Sequence, residues 1–453
     1  MTPAVRAWKG RVLKRCGARC GRWGTQACSS ARTKGISRAA RGPCTSPAWN
    51  YSGCGQIAPT PLPDPAVTQA TKEQVLDSLR QVIDPDLHQD IVTLGFVTRC
   101  EVDGSKADVV INLTTPACPV KDQLRDEARK FVSAVPGIEE VELEMTAEVR
   151  GQDGPTHKLA EHIKHIIAVS SGKGGVGKST VSVNLACALA ATGARVGLLD
   201  CDIYGPDIPM MMGLKGQPDH GGSADKPSLV PKERYGVKTM SVGYLLPDDK
   251  PAVWRGPMVH KLIEQFLSDV EWGELDYLLV DMPPGTGDAQ LSLAQLVPLT
   301  GAIIVTTPQA VATFDVGKAI TMFHQVNTEI LGIVENMSGL LVEGMVEGAQ
   351  EGAQVRLTLG SKEEVCSVDS EGRFRTVVEM FGSGGAQMLA EKHGFPVLGR
   401  VPLDPAVRVG GDGGDPIVVA DPDSPIAQSF REAAGKAAQR IAVRSFASLP
   451  VLD

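Results

Sequence analysis

A nine-residue run, Gly172-Lys173-Gly174-Gly175-Val176-Gly177-Lys178-Ser179-Thr180, constrains this chain more than any other feature. It follows the apolar segment Ile166–Ser170, which reads as a strand, and opens Ser179–Ala191, which reads as a helix. A glycine-rich turn in that context lets backbone N–H groups point inward, and the helix N-terminus adds a favourable dipole, so the segment suits phosphate. Lys178 is placed to neutralise charge on the β- and γ-phosphates. The Ser179 hydroxyl is placed to ligate Mg²⁺.

Two further strands end in carboxylates. Leu198-Leu199-Asp200-Cys201-Asp202 closes one, and Leu278-Leu279-Val280-Asp281 the other, with Met282-Pro283-Pro284-Gly285-Thr286-Gly287-Asp288 after it. In open α/β sheets the carboxyl edge is where ligands bind. Asp200 is expected in the Mg²⁺ shell, Asp202 as the group that orients the attacking water, and Asp281 as the Walker B-type carboxylate. Gly285 is placed to sense the γ-phosphate. Asn336 follows the strand Ile330–Glu335; either its amide reads the adenine edge or it is a turn residue.

The apolar strands near 166–170, 195–200, 277–281, 302–306, 330–335 and 397–401 alternate with helical segments. This predicts an α/β fold with a doubly wound parallel sheet over residues 160–446. The stretch 339–380 is rich in Gly, Glu and Val, shows no clear period, and reads as an insertion. Ahead of this sheet, residues 70–150 read as a small α/β domain. A helix over Lys72–Val82 is capped by Thr71, strands cover Val92–Val102, Ala107–Leu113 and Val141–Val149, and a second helix covers Val120–Val135.

Charge separates the first residues from the rest. Residues 1–63 hold eleven Lys and Arg and no Asp or Glu, whereas the remainder has 34 basic and 53 acidic side chains, a net of -19. An Arg-rich, acid-free start is the composition of an organellar transit peptide, in a plastid or a mitochondrion. The acidic remainder argues against nucleic acid as a partner. No apolar run is long enough to span a bilayer, so integral membrane association is not expected. Five cysteines lie beyond the basic segment, at 100, 118, 187, 201 and 366, with no CxxC among them. They read as reduced thiols rather than a disulfide framework.

Lys173, at the second position of the loop, marks the deviant Walker A class. In that class the lysine reaches the nucleotide of a facing subunit, which implies a homodimer. The loop, together with Asp202-Ile203-Tyr204-Gly205-Pro206-Asp207-Ile208-Pro209, Trp254-Arg255-Gly256-Pro257-Met258, the Asp281–Asp288 run and Glu335-Asn336-Met337, resembles the Mrp/Nbp35 family. These are P-loop ATPases that carry iron–sulfur clusters. Asp84-Pro85-Asp86, Asp90-Ile91-Val92 and Thr114-Thr115-Pro116-Ala117-Cys118-Pro119 resemble the iron–sulfur assembly domain fused ahead of many members. Within the family the chain is most similar to the plastid branch. The resemblance implies a chloroplast-stromal ATPase that assembles a cluster, [4Fe–4S] in type, and passes it from cluster donors to recipient apoproteins.

The family commonly follows Glu-Asn-Met with a CxxC that holds a bridging cluster, and its plastid branch keeps one cysteine there. Here Ser338 occupies that place. The resemblance carries an iron–sulfur ligand role to Cys118, and Cys366 in the insertion is a second candidate. Two other functions fit the loop: a positioning ATPase of the ParA/MinD type, and a scaffold whose nucleotide only gates partner binding.

Overall fold

A computed structural model describes residues 70–149, 151, 160–223, 226–245, 256–360 and 362–447. The basic segment 1–63 and Trp254-Arg255 lie outside the described residues. Chain order begins with α1 (Lys72–Leu79), β1 (Val97–Asp103), β2 (Lys106–Leu113), α2 (Lys121–Ser133) and β3 (Glu140–Ala147). Thr71 caps α1 reciprocally: its hydroxyl accepts from the Gln74 N–H and the Gln74 side chain accepts from the Thr71 N–H, satisfying two orphan donors. β1 and β2 form an antiparallel hairpin, and β3 lies parallel to β2. The two helices bury Val75, Leu79, Leu124 and Val132 against Val109 and Ile111. β1 begins five residues later than its composition suggests. The Asp90 carboxylate accepts from the N–H groups of Val92 and Thr93, and this side-chain turn competes with strand pairing.

The second sheet begins with β4 (Ile163–Ser171), α3 (Lys178–Ala191), β5 (Val196–Asp200) and α4 (Ile208–Met211). The chain continues through β6 (Asp219–Ser223), β7 (Lys226–Val230), β8 (Lys232–Arg234), β9 (Val237–Ser241), α5 (Gly256–Ser268), β10 (Leu275–Asp281) and α6 (Asp288–Leu296). Then come β11 (Gly301–Thr306), α7 (Ala310–Gln325), β12 (Ile330–Met345), β13 (Gln354–Leu359), β14 (Lys362–Ser367) and β15 (Arg373–Val378). The last elements are α8 (Gly385–His393), β16 (Val397–Leu403), α9 (Pro405–Gly413), α10 (Ile417–Ala420) and α11 (Pro425–Ala447).

In space the strands run β15-β12-β11-β4-β10-β5-β9-β8, with β16 also beside β12. From β16 to β9 all pairings are parallel; β15 and β8 are antiparallel edges. Side chains alternate across the sheet. Tyr277 and Leu279 of β10 enter the core under α3 and α11, whereas Leu278 and Val280 enter the core under α5 to α8. Covering both faces is what a continuous apolar strand requires. Each fully buried aliphatic side chain contributes about 1.5–3 kcal/mol.

The stretch 339–380 is regular, contrary to the patternless composition. β12 continues through Ser338 to Met345 and pairs with β15, while β13 and β14 form a separate two-stranded sheet. These strands are largely solvent-exposed, so no apolar alternation marks them. The small and large sheets belong to one compact unit.

Candidate nucleotide site and the Cys118 loop

β10 lies between β4 and β5, and register aligns their carboxyl ends: Asp281 pairs with Val169 on one side and Asp200 on the other. The glycine loop leaves β4 at this edge and enters α3 through Gly177, which holds φ +78°. A Cβ at Gly177 would stand 2.3 Å from Asn336 Nδ2, and one at Gly172 would stand 2.5 Å from the Asp315 carbonyl carbon. No side chain fits at either position. The loop is a cradle walled by α7 and by Asn336 in the middle of β12, as a phosphate-binding turn requires.

The chemistry-bearing side chains converge on Asp281, which is fully buried. Lys178 Nζ donates to its Oδ2 at 2.6 Å, Ser179 Oγ to the same oxygen at 2.7 Å, and Ser182 Oγ to Oδ1 at 2.5 Å. Lys178 Nζ also stands 3.9 Å from Asp202 Oδ2. Asp200 accepts from the Asp202 N–H at 3.0 Å and from Ser241 Oγ at 2.8 Å. Burial, and then the neighbouring Asp281 carboxylate, push the Asp200 carboxyl well above the usual range. Burial raises Asp202 also, with Lys178 pulling it down and Asp281 pushing it up. Asp202 Oδ1 is buried with no hydrogen-bond partner among the described residues.

The Ser179 hydroxyl and the unpartnered Asp202 oxygen offer hard-oxygen donors beside the cradle, the kind a Mg²⁺ held mainly by nucleotide phosphates takes, rather than an all-protein metal cage. Thus Lys178, Ser179, Asp200, Asp202 and Asp281 stand together, as the sequence suggests. The rest of the loop, Gly174, Gly175, Val176 and Thr180, lies with them on the turn into α3. Lys173 is half-buried and forms no ion pair among the described residues; its carbonyl accepts from Ser171 Oγ. Gly285 takes φ +98° and donates its N–H to the Ser171 carbonyl at 3.2 Å, so the loop after β10 is tied to the end of β4.

Asn336 stands against the loop itself. Its Nδ2 donates to the Val176 carbonyl at 2.9 Å, so the amide nitrogen braces the cradle. The adjoining Met337 holds φ +55°, a conformation that costs a non-glycine residue free energy and clusters at functional sites. Composition alone did not bring out Ser182, Ser241 and Gln290. Gln290 Nε2 bridges Ser170 Oγ and the Pro283 carbonyl, at 2.8 Å each. The signal for Ser182 is its spacing, four residues after Lys178 on the same helix face. Two clefts open elsewhere, one of about 570 Å³ lined by His162, Lys164 and Thr300 and one of about 690 Å³ lined by Met210, Lys215 and Tyr244. Neither includes a loop residue.

Cys118 lies in the turn between β2 and α2 and is half-buried. Burial raises its thiol to about 11; the Val120 N–H pulls it down, and Asp84 and Asp86 push it up. Cys366 lies on β14, opposite Val355 of the exposed hairpin. The two candidate thiols therefore lie on different parts of the fold, one in the β2–α2 turn and one on the exposed hairpin. Among the described residues no group of three or more His, Cys, Asp or Glu is arranged to hold a metal.

A glycine cradle between a parallel strand and a helix, with a lysine and strand-end aspartates beneath it, defines a P-loop NTPase. Comparison with known proteins refines this class. The family described as NUBPL iron-transfer P-loop NTPase, of the ParA group, matches residues 162–351 and 365–438, and that described as iron-sulfur cluster assembly protein matches 72–144. The chain is 44% identical over 378 residues to the iron-sulfur cluster carrier protein of Deinococcus radiodurans, covering 83% of this chain and 98% of that one. It is 40% identical over 371 residues to the Fe-S cluster assembly factor HCF101, chloroplastic, of Arabidopsis thaliana, covering 81% of this chain and 63% of that one. Among solved structures, a nucleotide-binding protein from Archaeoglobus fulgidus in complex with ADP is 37% identical, with a TM-score of 0.45, covering 60% of this chain and 93% of that one. The chain belongs to the NUBPL-type iron-transfer P-loop NTPases, the Mrp/Nbp35 family.

Proposed function

We propose that this protein is an ATP-hydrolysing carrier that assembles an iron–sulfur cluster and passes it to recipient apoproteins. One observation carries the reading: a single compact chain joins the Lys178–Ser179–Asp281 cradle to an iron–sulfur assembly segment that presents Cys118. ATP is the nucleotide, with its phosphates held by the backbone of Gly172–Thr180 and by Lys178. Ser179 and Asp200 would hold Mg²⁺, which when bound offsets phosphate charge, with Asp281 orienting Lys178 and Ser179. Asp202, with its unpartnered oxygen, orients the attacking water. Lys173, with no ion pair of its own among the described residues, serves the facing subunit of a homodimer. The contact of Asn336 with Val176 favours a bracing role over reading adenine.

The cluster is cargo. With Cys100 buried, Cys118 alone supplies two thiolates in a dimer, and a [4Fe–4S] cluster normally takes four. The remaining iron sites are filled by a small thiol or by a partner's cysteine, unless Cys366 contributes. A thiol raised to about 11 is protonated at neutral pH, so iron must displace its proton. Both features make the cargo easy to release, which suits a carrier. The basic residues 1–63 and the chloroplastic relatives support a plastid stroma as the site of action. No described helix is long and apolar enough to cross a membrane. The test is ATP turnover by purified protein together with cluster transfer to a stromal apoprotein. Turnover without transfer moves the assignment to a positioning ATPase, and no turnover moves it to a nucleotide-gated scaffold.

A further inference from the structure

The loop that carries Cys118 is seated on the ATPase body at two points, and the neighbouring Asp86 loop at a third. Thr115, nearly fully buried, shares a 3.1 Å hydrogen bond with the Tyr277 hydroxyl, and its own oxygen accepts from the Ala117 N–H at 3.2 Å. Ala117 enters the apolar cluster formed by Phe430, Ala434 and Ala438 of α11. At that contact the helix carries Gly435, where a Cβ would stand 3.1 Å from the Ala117 carbonyl oxygen and 3.8 Å from Pro119 Cβ. Glycine inside a helix is unfavourable, and the close approach of this loop supplies a reason for it. One turn further, Gln439 donates to the Asp86 carboxylate.

Both supports lead to the nucleotide site. Tyr277, Leu279 and Asp281 share one face of β10, because side chains on a strand alternate. α11 packs along α3, whose first residue is Lys178. Among the described residues no helix or strand of the small sheet packs broadly on the large one. The docking is made by two loops and a few polar contacts, and such an interface opens readily.

We propose that this seat is a latch. Tyr277 and Gly435 are positioning residues that hold the backbone on either side of Cys118 against the ATPase body, Gln439 holds the adjoining Asp86 loop, and the thiol packs on the small sheet's own core. Release of the seat frees this loop to swing its thiol off that core, towards the protein that gives or takes the cluster. The purpose of exposure rests on the carrier reading, whereas the latch itself rests on the geometry alone.

The experiment is alkylation of the full-length protein with iodoacetamide at fixed pH, with each cysteine followed by peptide mass spectrometry. In the Tyr277→Phe/Gln439→Ala double variant, Cys118 should label roughly fivefold faster, in keeping with the loss of two modest hydrogen bonds. Cys366, on a separate sheet, should label at the wild-type rate. Thr115→Val, which breaks the same contact from the other side, should behave like Tyr277→Phe. Unchanged Cys118 labelling in the double variant and in Thr115→Val overturns the latch. Acceleration that extends to the buried Cys100, Cys187 and Cys201 also contradicts it, because that reports a loosened core rather than a released loop. Failure of the protein to bind iron and sulfide would leave the labelling result standing, so the two readings fail separately.

Discussion

At the scale of single residues, Lys178 and Asp281 decide what the site can do. Lys178→Ala removes the cation under the cradle and leaves Asp281, fully buried, without its charge partner. Nucleotide affinity should fall by roughly 10- to 150-fold, the worth of a charge-assisted hydrogen bond of about 1.5–3 kcal/mol; isothermal titration with ATP and Mg²⁺ measures it. Lys173→Ala should lower hydrolysis more than binding if, as proposed, its target is the nucleotide of a facing subunit. Equal loss of both, measured on the same preparation, contradicts the facing-subunit role. Gly177→Ala forces a left-handed φ on a residue with a Cβ and drives that Cβ onto Asn336. It should cost about 1 kcal/mol or more in stability, read from a denaturant midpoint, and impair ATP binding. Asp200 and Asp281 were legible in the sequence because each closes an apolar strand. Ser182 carries only its spacing from Lys178 on one helix face, and Ser241 has no sequence signal at all, because its role is set by the register of β9 beside β5. Asn336 shows the same limit: the sequence reads it as following a strand, whereas β12 runs on through it to Met345, and its bond to the Val176 carbonyl is a matter of tertiary contact.

At the scale of elements, β10 is the member that joins the parts. At its start Asp276 accepts from the Arg195 side chain and backbone and pairs with Lys164. Burial alone would raise its pKa, but the Arg195 hydrogen bonds and then Lys164 outweigh burial and hold it at about 2. A depressed carboxyl stabilises the fold above its unfolded pKa near 4, and that contribution is lost as pH falls through about 2. Asp276→Asn should therefore cost roughly 2 kcal/mol at neutral pH, with the gap to wild type closing between pH 4 and 2 in urea melts. An unchanged gap across that window excludes the ionised pairing as the cause. The alternating parallel strands and helices were readable from continuous apolar runs. The β12–β15 extension and the β13–β14 hairpin were not, because both of their faces meet solvent and leave no apolar period. The iron-transfer family match skips residues 352–364 within that hairpin. Excising them should leave ATP turnover within about twofold, since surface insertions weigh little on a remote core, and a larger loss would assign the hairpin to the nucleotide site.

At the scale of the whole molecule, the sequence separates a basic start from an acidic body, places Cys100 and Cys118 in the small domain, and has Ser338 directly after Glu335-Asn336-Met337. A fusion of residues 1–63 to a reporter should enter plastids, and cytosolic retention would set that targeting aside. The central claim is that ATPase body and Cys118 loop act together as a cluster carrier. Its most direct test is anaerobic reconstitution of the wild type, Cys118→Ser and Cys366→Ser with iron and sulfide, scoring both per dimer alongside the Mössbauer spectrum. The account predicts a labile [4Fe–4S] cluster in the wild type, its loss in Cys118→Ser, and its retention in Cys366→Ser. Full cluster content in Cys118→Ser, or none in the wild type, would contradict it.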